Sequence, residues 1–352
     1  MLPTAIKALV LLLAGFISEP AWSAQVIEPL KEALQLHETG KIKDAIVLYD
    51  RFIKTHPKRV EGYFNRGNAY YDLGQNQPAV KDYSEVIRLS PKDSEAYFNR
   101  GNAYRRLKQE RAALEDYSAA IKLNPQDARA YINRGSIHFD AGRYDVAVED
   151  FSAAIRNNPE DADSYYNRGN SYLALNKKDE AIKDYTEALS LEAKLVDAFY
   201  NRGIAYSDSD KVDAAIADFT EVIKLNPKFS DAYYNRGLAQ AKAGKYQAAV
   251  EDYSESIRLD AKDPEAPFNR GIAYLRLEKY DYAARDFSEV IRLQPRNAEA
   301  HVYRGIARIY QKKQNEADAD FQKAFQLDPS LKKNVQPLIE EAKAQIKSAP
   351  VK

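Results

Sequence analysis

Four histidines, His37, His56, His138 and His301, are the side chains best suited to acid–base or metal chemistry. They lie far apart and share no metal-ligand spacing. The chain has no cysteine, which removes thiol nucleophiles and thiolate zinc sites. Carboxylates are abundant, for example Asp208 with Asp210 or Asp318 with Asp320, but they fall in turns or on helical faces where water solvates them. No Walker loop, G-x-S-x-G elbow or H-E-x-x-H is present. The residues therefore predict no enzyme, no cofactor and no metal.

What recurs at fixed spacing is a carboxamide. The tripeptide Asn-Arg-Gly begins at Asn65, Asn99, Asn133, Asn167, Asn201, Asn235 and Asn269, each 34 residues after the last, with a degraded copy at Tyr303-Arg304-Gly305. An asparagine side chain offers one acceptor and two donors. A ladder of them could pair with the NH and CO of an extended chain. The alternative is that asparagine is simply a surface habit of the repeat.

The rest of the unit keeps the register. With the glycine as position 8 of 34, position 20 is alanine from Ala45 to Ala317, and position 24 is aromatic from Tyr49 to Phe321. Position 32 is proline in seven of nine copies, Ala193 and Ala261 being the exceptions. Units start at residues 26, 60, 94, 128, 162, 196, 230, 264 and 298. Positions 2–14 and 18–31 have helical rather than alternating periodicity. Proline then stops the second helix because it cannot continue the hydrogen-bond ladder. A glycine in the first helix costs about 1 kcal/mol against alanine. It is tolerable if it lets a second helix approach, with the alanine at position 20 as the expected counterpart.

The small residues at positions 8 and 20, the aromatics at 4, 11 and 24, and the proline at 32 resemble the tetratricopeptide repeat (TPR) family over residues 26–331. The resemblance implies an all-α, right-handed superhelical solenoid of helix-turn-helix repeats. Such repeats bury their apolar faces only by stacking. A closing helix is expected over 332–348, with Val335, Leu338, Ile339, Ala342 and Ile346 on one face.

Positions 2, 5, 6, 9, 12 and 13 fall within about 120° of arc on the first helix. The repeat glycine, position-4 and position-11 aromatics and small residues occupy the other side, so the first arc is the expected groove. Position 5 adds Phe64, Phe98, Tyr166, Tyr200, Tyr234 and Phe268, either a binding row or rings packed on a neighbour. At position 9, Asn68, Asn102, Ser136 and Asn170 give way to Ile204, Leu238, Ile272 and Ile306. This change divides the groove into a polar and an apolar half, and places Leu238 and Ile272 with the peptide-binding residues. The ladder also resembles the asparagines lining peptide-binding members of the family.

The arginine at position 7 faces the packed side, where an unpaired charge is costly. Position 23 is aspartate in eight units, and unit one lacks both, carrying Glu32 and Leu48. Two residues that appear and vanish together predict a structural ion pair. His138 and His301 stand where other units have aromatics and are expected to pack.

The 52 basic and 52 acidic residues cancel, and no block of five like charges occurs, so nothing favours nucleic acid. Lys7, an apolar run over 8–17, Pro20 and Ala21-Trp22-Ser23-Ala24 predict a signal peptide over 1–24, cleaved near Ser23 or Ala24. The run is too short to span a membrane comfortably. The expected product is a periplasmic or secreted, non-enzymatic adaptor for a protein or peptide partner, without stable membrane insertion. The alternative is an architectural envelope subunit bound through its convex face or ends.

Overall fold

The computed structural model describes residues 22–348. All of the regular structure among them is helical. Residues up to Pro159 form one compact unit and those from Glu160 a second. The first holds α1 (Trp22–Glu38), α2 (Ile42–Thr55), α3 (Val60–Asp72), α4 (Asn76–Leu89), α5 (Ser94–Arg106), α6 (Glu110–Leu123), α7 (Ala128–Asp140) and α8 (Tyr144–Asn157). The second holds α9 (Ala162–Ala174), α10 (Lys178–Leu191), α11 (Val196–Asp208), α12 (Val212–Leu225), α13 (Ser230–Lys242), α14 (Tyr246–Leu259), α15 (Glu265–Arg276), α16 (Tyr280–Leu293), α17 (Ala298–Tyr310), α18 (Gln314–Leu327) and α19 (Leu331–Ser348). Each odd-numbered helix up to α17 opens a repeat (the A helix) and packs on the even-numbered B helix that follows.

The turn inside every hairpin uses a left-handed residue at position 15, closed by a backbone bond such as Lys177 N to Tyr172 O. Glycine supplies it at Gly40, Gly74, Gly142 and Gly244. The other repeats force Lys108, Asn176, Asp210, Glu278 and Lys312 into positive φ. Several A helices are capped from the preceding side chain, as where Asp93 accepts from Ala96 N.

The core is built from the invariant positions. The position-20 alanines are fully buried, and so are Tyr117, Tyr185, Phe219 and Phe287 at position 24. The helical glycine answers the ring rather than the alanine expected as its counterpart. A Cβ on Gly101 would lie 2.8 Å from the Tyr117 ring, and one on Gly203 2.8 Å from Phe219. The ring occupies the space that a side chain at the glycine would need.

Helix α19 closes the last hairpin by packing Val335, Ile339 and Ala342 with Val302, Ile309 and Phe321. Leu338, expected on the same face, is exposed instead, because one step from Ile339 turns it by about 100°. No helix of the described residues is long and apolar enough to cross a membrane. The expected leader falls almost wholly on residues 1–21, outside the described residues.

Candidate peptide-binding face

The A-helix face is organised by three sets of hydrogen bonds. The first fixes the hairpins. Arg100 donates through Nε and Nη2 to both oxygens of Asp116, each at 2.8 Å, and through Nη1 to Ser84 Oγ at 3.0 Å. The same pattern joins Arg202 to Asp218 and Thr186, and Arg270 to Asp286 and Ser254. Arg66 replaces the hydroxyl with Asp50. Each of these four guanidiniums thus pairs with the second helix of its own repeat and reaches the second helix of the repeat before. Aromatic rings at position 4, position 11 or both lie over the guanidinium, as Tyr97 and Tyr104 flank Arg100 and Phe199 and Tyr206 flank Arg202. A bidentate arginine–carboxylate pair buried among rings is a structural strut, with no side left for an anion. The expected ion pair is therefore present. The position-25 hydroxyl that completes it escaped sequence reading, although serine or threonine stands there from Ser84 to Ser288. On a helix such residues look solvated.

Repeat nine varies the strut. Asp320 receives Arg304, Arg308 Nη1 at 2.6 Å and His301 Nδ1 at 3.4 Å. His138 accepts from Arg143 Nε at 2.9 Å. Both histidines are packing members, and burial pushes both below the ordinary imidazole value. Among the described residues no group of His, Asp or Glu is placed to hold a metal ion.

The second set links positions 24 and 9. The Tyr83 hydroxyl donates to Asn68 Oδ1 at 2.7 Å, Tyr117 to Asn102 at 2.7 Å and Tyr185 to Asn170 at 2.8 Å. Where position 9 is Ser136, Ile204, Ile272 or Ile306, position 24 is Phe151, Phe219, Phe287 or Phe321. In repeats two to nine, asparagine at position 9 thus goes with tyrosine at position 24 and any other residue with phenylalanine, except where Leu238 stands over Tyr253. Ile204, Leu238 and Ile272 are half-buried against Phe219, Tyr253 and Phe287 and keep an exposed edge.

The third set is the asparagine ladder. Asn99, Asn133 and Asn201 donate through Nδ2 to Oδ1 of Asn68, Asn102 and Asn170 in the preceding repeat. Where position 9 is aliphatic, Asn235 and Asn269 turn to the hydroxyls of Tyr200 and Tyr234, at 3.0 and 3.1 Å. Asn65 is buried and donates to Glu61 O. Asn167 is half-buried. No hydrogen bond among the described residues uses Oδ1 of Asn99, Asn133, Asn201, Asn235 or Asn269. The ladder spends donors internally and leaves acceptors facing out.

The position-5 rings also pack within the hairpins. Phe64, Phe98, Tyr166, Tyr200, Tyr234 and Phe268 each stand edge-on or tilted against the position-24 ring, at centroid distances of 5.7–6.1 Å. Phe98 is buried and carries Arg129 over its ring. The others are half-buried, with one edge on the face. Burial and the charge of Glu265 push the Tyr234 hydroxyl up to about 12, so it stays a neutral donor and acceptor.

A tetratricopeptide repeat family model matches residues 132–194, 200–264 and 268–331, and related repeat models match 67–108 and 94–127. No curated protein matches the sequence. Among solved structures, the C-terminal part of a TPR repeat-containing protein from Cytophaga hutchinsonii is 18% identical. That alignment covers 77% of this chain and 97% of the other, with a TM-score of 0.52. YrrB, described as a TPR protein with an unusual peptide-binding site, is 24% identical over 53% of this chain and 96% of its own, with a TM-score of 0.50. These likenesses concern the fold.

Proposed function

This chain belongs to the tetratricopeptide repeat family, and we propose that it is a non-enzymatic scaffold that holds an extended segment of a partner protein on its A-helix face, in the cell envelope. The observation that carries the reading is the unspent row of ladder oxygens beside half-exposed rings and aliphatic side chains. An extended polypeptide needs acceptors for its N–H groups and apolar ground for its side chains. The ladder and positions 5 and 9 supply both. The peptide-binding description of YrrB is consistent with this use of the fold. The leader over 1–24 supports export, with cleavage near Ser23 or Ala24.

An architectural subunit held through its B-helix surface or its ends is the competing use. Photo-crosslinking in cells separates them. A photoreactive residue replacing Leu238 should capture a partner, and one replacing Glu251, exposed on α14, should capture little. Capture at 251 with none at 238 would reject the groove reading. Detection of the full-length, uncleaved protein in a cytoplasmic fraction would reject the envelope.

A further inference from the structure

From repeat two onward, a hydroxyl at position 24 goes with asparagine at position 9, and Tyr253 breaks that rule. Its partner position holds Leu238. Tyr253 is 1% exposed, yet its hydroxyl has no hydrogen-bond partner among the described residues. The Tyr49 hydroxyl is likewise unpartnered but sealed in the core, whereas that of Tyr253 is not sealed. Its equivalents Tyr117 and Tyr185 reach the position-9 side chain, so this donor comes up beneath Leu238, beside Tyr234. A buried hydroxyl without a partner costs free energy that an incoming acceptor would return.

Acids outnumber bases around it, the exposed cations at position 13 being Lys242, paired with Asp210 at 2.7 Å, and Arg276. Position 2 of the A helices in the second unit carries Asp163, Asp197, Asp231, Glu265 and Glu299, all exposed and none ion-paired among the described residues. The matching acids of the first unit are neutralised. Glu61 pairs with Arg59 at 3.0 Å and Glu95 with Arg129 at 2.6 Å. Arg105 and Arg106 stand exposed on the same unit's A-helix face. In the second unit the carboxylates adjoin the rings of the preceding repeat, Asp231 near Tyr200 and Glu265 near Tyr234.

We propose that the A-helix face of the second unit takes an extended polypeptide carrying lysine or arginine between apolar side chains, with the Tyr253 hydroxyl donating to a backbone carbonyl of that segment at repeat seven. The apolar side chains lie on Leu238 and Ile272, the cations beside Asp231 and Glu265, and the segment's N–H groups meet the free oxygens of Asn235 and Asn269. This identification rests on the groove reading above and adds the partner's chemistry to it.

The test is a fluorescence anisotropy titration of the full chain with three short labelled peptides, of alternating lysine and leucine, glutamate and leucine, and lysine and serine. The lysine–leucine peptide should bind tightest, and more weakly as salt rises. Asp231→Asn with Glu265→Gln should weaken it about tenfold, the scale of two partly screened ion pairs. Tyr253→Phe should weaken it about fivefold, the scale of one hydrogen bond, with salt dependence unchanged and the melting temperature equal or higher. A structural hydroxyl would instead lower the melting temperature. Wild-type affinity in Tyr253→Phe overturns the anchor. Equal binding of the glutamate–leucine peptide, sensitive to Asn235→Ala, overturns the cationic partner and leaves the groove reading standing. No binding of any peptide overturns both.

Discussion

The Tyr185 hydroxyl donates to Asn170 Oδ1 at 2.8 Å, and the same oxygen receives Asn201 Nδ2 at 2.9 Å. One carboxamide thereby ties a B helix to its own A helix and to the next. Tyr185→Phe should cost about 1 kcal/mol. Adding Asn170→Ile recreates the Phe–Ile pair of repeat six, and Asn201 can turn to the Tyr166 hydroxyl, already 3.3 Å away. A double-mutant cycle in urea should then show a coupling of about 0.5–1 kcal/mol. Additive losses would mean that positions 9 and 24 vary independently.

The arginine struts should dominate stability. Asp184 is 6% exposed and accepts from Arg168 Nε and Nη2 at 2.7 and 2.8 Å. Asp184→Ala strands a buried guanidinium and should cost about 3–5 kcal/mol. Calorimetry measures it, and an unchanged melting temperature would refute the strut.

Two kinds of glycine should respond differently to alanine. At Gly203 the new methyl meets the Phe219 ring at 2.8 Å, an overpacking cost of about 1–3 kcal/mol. At Gly142, with φ of +73°, nothing lies within 4 Å, so only backbone strain of about 1–2 kcal/mol remains. Conversely, Glu278→Gly relieves a residue at φ 57° and should raise the melting temperature. A lower value would contradict the turn geometry.

His301 sets a pH dependence. It is 6% exposed, and burial holds it below its ordinary value of 6.5. The unfolded chain then binds the proton first as pH falls. Stability supplied by neutral His301 is full above pH 6.5 and is lost as pH falls from there through the lowered folded value. His301→Phe should flatten the melting temperature between pH 7.5 and 5. An unchanged slope would place the titration elsewhere.

The register, the hairpins and the arginine–aspartate pairs were legible because each recurs at one spacing and repeat one lacks both partners at once. The position-25 hydroxyls recur as faithfully but were invisible, since serine on a helix has no packing signature until an arginine is placed over it. Position 9 was legible as a change along the groove, while its cause lay 15 residues away at position 24. That tyrosine–asparagine contact depends on the hairpin's three-dimensional closure. The aromatic row at position 5 was legible as a row, but that each ring also rests on the B-helix ring at position 24 is something helical angles alone do not reveal.

The central claim is that affinity for an extended partner resides on the A-helix face, more in aliphatic ground than in any one asparagine. The direct measurement is isothermal titration of a partner segment, identified by crosslinking at position 238, against wild type, Leu238→Ser, Asn235→Ala and Glu251→Ala, each verified as folded. Burying one aliphatic side chain is worth about 1.5–3 kcal/mol, so Leu238→Ser should lose roughly 10- to 150-fold. Asn235→Ala should lose about fivefold, the worth of one neutral hydrogen bond, and Glu251→Ala nothing. A loss in Leu238→Ser no greater than in Asn235→Ala, or a loss confined to Glu251→Ala, would contradict the account.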